Sequence, residues 1–240
     1  MHARRLAPTR RNQPTVSTLR SAITGPEWVN TVPQRTSMKL GDDPQAVIRR
    51  LYRDEHGYDL SEADEARVLA TRSAPTYGEL MPSATARLVE ALKLDADDSF
   101  YDLGSGVGKV VLQVAMTVPV QRSIGIELVG TRHRIAQRML AQLEPTGLLR
   151  ASECRFRRSD FMRARLTGAT VIYTCSTAFS EEFMEELAAH LARRPTGLRW
   201  VTTQDLDDNP WWELEQTWRL DMSWRRQSGV HAYRLTRRNR

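Results

Sequence analysis

An acidic residue followed by three alternating glycines is the pattern in this sequence with the clearest chemical meaning. It reads Asp102-x-Gly104-x-Gly106-x-Gly108 and begins at the end of a short apolar, strand-like run, residues 99–103. Valines at helical spacing then predict a helix with one buried face: Val107, Val110, Val111 and Val114. A strand, a glycine loop and a helix in this order place a ligand at the helix N-terminus, because glycine lets the backbone turn sharply and the ligand approach closely.

Spacing separates the three classes of ligand that such loops bind. A phosphate-binding loop needs Gly-x-x-x-x-Gly-Lys-Ser/Thr, but Val110 follows Gly108-Lys109, and Leu103 stands where the first glycine belongs. The dinucleotide pattern Gly-x-Gly-x-x-Gly requires glycine at position 109, which is a lysine here. The remaining class is the Rossmann-like methyltransferases that use S-adenosyl-L-methionine (SAM). The sequence therefore predicts SAM as cofactor, with Asp102 balancing the ammonium at its methionine end.

Two later positions complete the predicted cofactor site. Glu127 ends the next strand, 19 residues after Gly108, where a carboxylate can accept hydrogen bonds from both ribose hydroxyls. Asp160 and Phe161 follow a further strand, and such a pair can hold an adenine: the acid accepts from its amino group and the ring stacks on its face. In this register the three features together favour SAM binding.

The remaining pattern predicts the elements that position these residues. A short helical lead-in at residues 44–53 is followed by a polar stretch and by a second helix from Pro82. Another helix is expected after Ser180, a good N-cap. Strands are expected at residues 99–103, 123–127, 154–158, 169–174, 198–203, 218–223 and 229–235. The order β-α-β-α-β-α-β-α-β and then two strands predicts an α/β, Rossmann-like fold with a mainly parallel seven-stranded sheet and a C-terminal antiparallel hairpin.

Charge is concentrated at the N-terminus of the chain. The net charge is +6, from 35 basic and 29 acidic residues, and residues 1–40 carry seven basic residues against one acidic residue. We expect this basic arm to be disordered, because it has too little apolar surface to offset the entropy of ordering. Three interpretations remain open: non-specific contact with nucleic acid or an acidic partner, a solvated tail, and a mitochondrial targeting segment.

Composition excludes several classes of protein. Two cysteines among 240 residues provide neither a disulfide framework nor a zinc cluster, so we predict no metal site. No apolar run approaches the ~20 residues of a membrane span, and no secretory signal is evident. A cytoplasmic location is expected, with a nuclear one as the alternative in a eukaryote. We divide the chain into the arm at 1–40, a helical lead-in and cofactor-closing loop at 41–80, and a methyltransferase domain at 81–240.

A longer set of motifs resembles the Dot1-like family of histone H3 lysine methyltransferases. The resemblance begins at Thr76-Tyr77-Gly78-Glu79-Leu80, runs through the glycine loop and residues 124–127, 160–161, 171–173 and 178–179, and returns weakly at 223–224 and 230–233. It implies that Tyr77 and Glu79 lie in a loop that closes over SAM and that Tyr233 borders the substrate channel. The implied cofactor-binding set is Tyr77, Glu79, Asp102, Gly104, Ser105, Gly106, Gly108, Glu127, Asp160 and Phe161.

One segment departs from the family pattern. Where the family has Asn-Asn-Phe-Ala-Phe beside the methyl group, this chain has Cys175-Ser176-Thr177-Ala178-Phe179. Ser176 replaces the asparagine that helps to place the target amine, so it either hydrogen-bonds the acceptor or caps the following turn. We therefore name Tyr77, Ser176 and Tyr233 as candidate catalytic residues. Lysine methylation of a basic or nucleic-acid-associated protein is the leading hypothesis; a small-molecule acceptor and a non-catalytic SAM- or nucleic-acid-binding module are the alternatives.

Overall fold

The computed structural model describes residues 38–71 and 77–239, so most of the predicted basic arm lies outside the described residues. The helices in those ranges are α1 (Pro44–Leu51), α2 (Glu62–Leu69), α3 (Pro82–Leu92), α4 (Lys109–Thr117), α5 (Gly130–Leu143) and α6 (Glu181–Leu191). The strands are β1 (Ser99–Leu103), β2 (Arg122–Glu127), β3 (Glu153–Arg158), β4 (Val171–Thr174), β5 (Arg199–Thr202), β6 (Trp212–Leu220) and β7 (Ser228–Leu235).

All seven strands form one sheet in the order β3-β2-β1-β4-β5-β7-β6. The first five are parallel, whereas β7 runs antiparallel to both β5 and β6. Helices α1, α3, α4 and α5 contribute to the core on one face of the sheet, and α6 packs on the other. This confirms the predicted Rossmann-like α/β fold with its C-terminal antiparallel pair.

The structure differs from the predicted elements at three places. Helix α2 occupies the stretch that the sequence leaves as polar. Residues 159–170, between β3 and β4, form turns instead of the helix that strict α/β alternation predicts. Strand β6 begins at Trp212 rather than at residue 218, because its exposed polar residues pair along most of β7 and hide the alternation expected of a strand.

Contacts from the lead-in reach the glycine loop and helix α5. The Tyr52 hydroxyl donates to the Val107 carbonyl at 2.6 Å, while Val47 and Ile48 share a core with the buried side of α4. Asp64 in α2 accepts from the backbone N–H groups of Gly130 and Thr131 at 3.1 and 3.2 Å, at the start of α5. The lead-in helices α1 and α2 thus pack directly against the glycine loop, α4 and α5.

The Asp64 contact predicts a measurable loss of stability on substitution. Burial alone would raise the pKa of this carboxyl, but the hydrogen bonds from Gly130 and Thr131 outweigh it and hold the pKa below its ordinary value. Asp64→Ala should cost about 1–3 kcal/mol in urea unfolding at neutral pH, because two buried N–H groups lose their acceptor. The cost should shrink as the pH falls below about 4, since a carboxyl with a lowered pKa contributes its stability only while ionised.

Asp59→Ala is the matched control for this measurement. The Asp59 side chain is 92% exposed and lies 3.8 Å from His56, so its removal should change the unfolding free energy by less than about 0.5 kcal/mol. Equal effects of the two substitutions would contradict the proposed role of Asp64 in holding α2 against α5.

Candidate active site

A cavity of about 300 Å³ opens where the parallel strands β1, β2 and β4 end. Ligands of open α/β sheets bind at this edge, outside the carboxyl ends of the strands. The loops after these strands supply most of the lining, and the lead-in and the β6–β7 turn supply the rest. Its lining includes Tyr77, Gly78, Gly104, Gly106, Glu127, Arg132, Phe161, Cys175, Thr177, Phe179 and Trp224.

The glycine loop has the backbone conformation that its sequence predicts. Gly104, Gly106 and Gly108 have φ values of 82°, 56° and 91°, in the left-handed region that disfavours other residues. A Cβ atom on Gly106 would lie 2.7 Å from the ring of Tyr77, and one on Gly108 would lie 2.4 Å from the ring of Phe156. The loop therefore needs glycine both for its conformation and for the close approach of two aromatic rings.

Glu127 joins the glycine loop to the end of β2. One carboxylate oxygen accepts from the Gly106 N–H and the other from the Val129 N–H, both at 2.7 Å. The side chain also lines the cavity, although it is only 5% exposed. Burial raises the pKa of this carboxyl, and hydrogen bonds from the backbone oppose the shift.

A smaller cavity of about 30 Å³ lies beside the first and includes Asp102, Ser105, Tyr173 and Cys175 in its lining. Asp102 is 3% exposed, and burial together with the charge of Glu127 raises its pKa well above the ordinary value. The volume suits one group about the size of a water molecule. A buried acid facing such a space suits a small cation.

The segment 77–80 crosses over the glycine loop. The Tyr77 hydroxyl donates to Glu79, whose other oxygen binds Lys109 Nζ at 2.5 Å. The guanidinium of Arg132 lies 4.5 Å from the centre of the Tyr77 ring. Lys109 is thus paired with an acid of this segment, which agrees with the sequence argument against a phosphate-binding lysine.

The same segment is fixed from the other side by the turn between β6 and β7. Ser223 donates its N–H to the Glu79 carbonyl at 2.8 Å and accepts from the Glu79 N–H at 3.1 Å. A Cβ on Gly78 would lie 2.0 Å from the Trp224 ring, so glycine is required where this ring packs. Trp224 lines the cavity and is still 42% exposed, which puts an aromatic surface at its mouth.

The predicted adenine pair is divided between two spaces. Phe161 lines the 300 Å³ cavity, and it also lines a neighbouring groove together with Asp160. One oxygen of Asp160 accepts from the Met162 N–H at 2.9 Å, and the other lies 3.6 Å from Arg163. The structure thus brings Phe161 to the cavity with the glycine loop and leaves Asp160 at its edge.

Ser176 and Tyr233 do not reach the cavity in the part of the chain that the structure describes. Ser176 is fully buried, and its hydroxyl bonds Thr202 at 2.7 Å and accepts from the Gln204 N–H at 3.0 Å. Tyr233 is 3% exposed, donates to Asp205 and accepts from the Leu206 N–H at 3.0 Å. Neither residue belongs to the lining of the two cavities, and both hydroxyls are engaged by neighbouring loops.

Sequence reasoning gives Arg132 no role in the site and includes Cys175 and Trp224 only within longer segments. All three line the cavity, because distant segments of the chain pack together there. For Arg132 the one available signal was its position, five residues after Glu127, in the first turn of a helix that starts at the cavity. Cys175 is partly buried, and desolvation with the nearby Asp102 charge raises its pKa to about 12, so its thiol is not ionised at neutral pH.

None of the helices within residues 38–71 and 77–239 is long and apolar enough to cross a membrane. Nor do three or more His, Cys, Asp or Glu side chains converge in those ranges to hold a metal ion.

Comparison with known proteins gives a family match and several similar relatives. Residues 60–216 match the family described as "Histone methylation protein DOT1". A "Histone-lysine N-methyltransferase, H3 lysine-79 specific" from Drosophila melanogaster is 26% identical over 166 residues, 66% of this chain and 9% of that protein. A "Protein-lysine N-methyltransferase" from Saccharolobus islandicus is 33% identical over 87 residues, 36% of this chain and 50% of that one. The chain thus spans half or less of the length of both relatives.

Likeness to solved structures concerns the fold. The magnesium protoporphyrin IX methyltransferase of Synechocystis, solved with bound SAM, has a TM-score of 0.50 at 14% identity. The match covers 83% of this chain and 100% of that one. The match supports a shared Rossmann-like methyltransferase fold, and at this identity it says nothing about the substrate.

Gln204 holds the loop at residues 175–179, and its substitution should loosen that loop. The Gln204 side-chain amide donates to the Ser176 carbonyl at 2.5 Å and to the Phe179 carbonyl at 2.9 Å. Gln204→Leu should cost about 1–2 kcal/mol of unfolding free energy, because the Phe179 carbonyl loses this donor. Hydrogen exchange should become faster at residues 175–179 while exchange in α4 stays unchanged.

Gln216→Leu, at an exposed position of β6, is the control for loop opening. It should leave exchange at residues 175–179 unaltered. Unchanged exchange of this loop in Gln204→Leu would contradict the role given to Gln204.

Proposed function

The chain belongs to the DOT1 family, and from that premise we propose that it is a SAM-dependent methyltransferase that modifies a lysine side chain of a protein. One observation carries the proposal: two buried carboxylates, Asp102 and Glu127, flank a glycine loop at the ends of neighbouring strands and face adjoining cavities. Asp102 suits an ammonium and Glu127 a pair of ribose hydroxyls. The two acids thus suit the amino-acid part and the ribose of a nucleoside that is joined to an amino acid.

An unpaired group in the structure supports the same ligand. The buried hydroxyl of Tyr173, which lines the smaller cavity with Asp102, accepts no hydrogen bond among the described residues. A Cβ at Gly104 would meet no atom within 4 Å, so the loop leaves open space on that side. The larger cavity is lined by both Glu127 and Phe161, so it offers a carboxylate for a ribose and an aromatic ring for an adenine. These features fit SAM, held by Asp102, Glu127 and Phe161.

When bound, SAM supplies a methyl group that its sulfonium already activates. The residues of this chain therefore serve mainly to align the acceptor and exclude water, a contribution of ~7–11 kcal/mol in well-oriented reactions. Tyr77 packs on Gly106 and borders both cavities, so its ring would lie against a cofactor bound across them. Trp224, Phe179 and Thr177 line the opening through which an acceptor would approach.

A lysine acceptor must lose its proton before it can attack. Its ordinary pKa is about 10.4, and apolar surroundings lower it by disfavouring the charged form. The aromatic surfaces of Trp224 and Phe179 provide such surroundings at the cavity mouth. We infer that desolvation by these rings, and not a histidine base, brings the amine to its neutral form, since the cavity lining in the described residues includes no histidine.

Ser176 and Tyr233 would act through the loops they hold. The Ser176 hydroxyl ties the 175–179 segment to the end of β5, so it fixes the walls formed by Cys175 and Thr177. The Tyr233 hydroxyl anchors Asp205 and Leu206, just beyond Gln204. Both are positioning residues in this proposal, because neither reaches the cavity.

The substrate and location follow from the family. Relatives named for histone H3 support a basic, DNA-associated protein as substrate, and the basic residues 1–40 would add affinity for nucleic acid without sequence preference. The same relatives give no support to the predicted cytoplasmic location and favour chromatin. The relative from Saccharolobus islandicus, named for protein lysine without a stated histone, favours a protein acceptor in general.

Asp102 predicts that cofactor binding releases a proton. Its raised pKa keeps the carboxyl protonated up to that shifted value, and an ammonium beside it favours the ionised form. Calorimetric titration with SAM in two buffers of different ionisation enthalpy, between about pH 5 and 7, should reveal release that declines as the pH rises through the shifted pKa. The amino group of SAM stays mostly protonated throughout this range, since α-amino groups have a pKa of about 7.7–8.0.

Asp102→Asn should bind SAM more weakly and abolish this release. The same number of protons released by the variant and the wild type would contradict the role of Asp102. The comparison is independent of turnover, because it uses only binding heats.

Methyl-labelled SAM tests the reaction itself. We expect the wild-type protein to label lysine in purified histones or in the proteins of a lysate, and Glu127→Gln to lower the rate at least roughly tenfold. An amide at position 127 replaces one acceptor with a donor, so it cannot accept from both backbone N–H groups and from ribose. Label confined to small molecules would favour the alternative acceptor, and SAM binding without label anywhere would favour a non-catalytic module.

A further inference from the structure

Tyr173, on β4, carries a buried hydroxyl that the fold itself does not use. The side chain is 2% exposed, and its oxygen accepts no hydrogen bond among the described residues; its one polar contact is with the thiol of Cys175, a weak acceptor. A buried oxygen without a donor costs more free energy than a phenylalanine of the same shape. A hydroxyl kept at such a position therefore points to a partner that the chain does not supply.

The surroundings of this hydroxyl define that partner. Tyr173 pairs in register with Asp102 on β1, so both side chains lie on the same face of the sheet, and both line the 30 Å³ cavity with Glu79 and Cys175. Burial raises the pKa of the phenol, and the nearby Cys175, Asp102 and Glu79 raise it further. Lys109 also lines this space but is already paired with Glu79. An acidic cavity of this size attracts a small cation and repels an anion.

Ser105, the other unpartnered hydroxyl at this cavity, has a different setting. A Cβ built on Gly125 would lie 2.6 Å from the Ser105 oxygen, so that hydroxyl turns toward β2 beneath the loop. Tyr173 instead lies beside Asp102, where the proposed cofactor places its ammonium. The two buried hydroxyls are therefore not equivalent.

We propose that the Tyr173 hydroxyl is a cofactor-binding group whose oxygen accepts a hydrogen bond from the ammonium of SAM, next to the carboxylate of Asp102. This assignment rests on the proposed methyltransferase function and adds a neutral acceptor to its recognition of the amino-acid end. Tyr173 thereby selects ligands that carry an amino group over nucleosides that lack one. Its phenol retains its proton, so it contributes no charge to the site.

Two tyrosine-to-phenylalanine variants separate this role from ordinary packing. Tyr101 is fully buried on the opposite face of β1, and its hydroxyl donates to the Thr167 carbonyl at 2.9 Å. Tyr101→Phe should lower the Tm of the ligand-free protein by roughly 2–4 °C and leave the Kd for SAM unchanged. Tyr173→Phe should leave the Tm unchanged or higher, because it removes a hydroxyl whose one partner in the fold is the weakly accepting thiol of Cys175.

The affinity of each variant is measured with three ligands in calorimetric titrations of the full chain. Tyr173→Phe should raise the Kd for SAM roughly tenfold or more, as expected for a lost hydrogen bond to a charged group. Decarboxylated SAM keeps the ammonium, so its Kd should rise by a similar factor. The Kd for 5′-methylthioadenosine, which lacks the amino-acid end, should stay the same.

Each contrary result overturns the assignment in a recognisable way. An unchanged Kd for SAM, or equal weakening of SAM and 5′-methylthioadenosine, removes Tyr173 from recognition of the ammonium while the proposed function stands. An unchanged Kd for decarboxylated SAM beside a raised Kd for SAM moves the contact to the carboxylate and overturns the proposal. A loss of Tm equal to that of Tyr101→Phe would reveal a stronger partner within the fold than the Cys175 thiol. No binding of SAM by the wild-type protein would overturn the proposed function and this inference together.

Discussion

The carboxylate of Glu127 is the contact on which the arrangement of this site depends. Its two hydrogen bonds of 2.7 Å, from Gly106 and Val129, hold the glycine loop against the end of β2. The loop can take this path because its glycines occupy left-handed conformations. A buried carboxylate is costly unless it is hydrogen-bonded, so the fold stabilises the charge with the same N–H groups that shape the cavity. Structural and ligand-binding demands therefore meet in one side chain.

The segment 77–80 extends this arrangement to distant parts of the chain. Tyr77 packs on Gly106, Glu79 binds Lys109 at the start of α4, and Ser223 brackets Glu79 from the β6–β7 turn. The lead-in supports the other side, since the Tyr52 hydroxyl reaches the Val107 carbonyl. The cavity is thus enclosed by the first and last elements of the fold, and the sheet between them supplies its acids. The packing of segment 77–80 over the glycine loop therefore depends on the packing of the hairpin.

The sequence allowed the fold and the acids of the site to be predicted because their signals are local. The glycine spacing, the strand-end acids and the valine periodicity of α4 each lie within about one turn or strand of the chain. Helix α2 was not predicted, because its position depends on a tertiary contact between the Asp64 carboxylate and the start of α5. The resemblance puts Tyr233 at the substrate channel and leaves Ser176 either as an acceptor contact or as a cap. In the structure both hydroxyls form hydrogen bonds with neighbouring loops, an arrangement that depends on tertiary packing. Trp224 and Tyr173 acquire their meaning only through neighbours far along the chain.

Direct titration of the full chain with SAM and with S-adenosylhomocysteine tests the central claim, that the glycine loop and its two acids form a cofactor site. The account predicts saturable binding of one equivalent of each ligand with micromolar affinity. Glu127→Ala should abolish this binding, because it removes the ribose acceptor and releases the glycine loop together. A folded wild-type protein that produces no binding heat with either ligand would contradict the account.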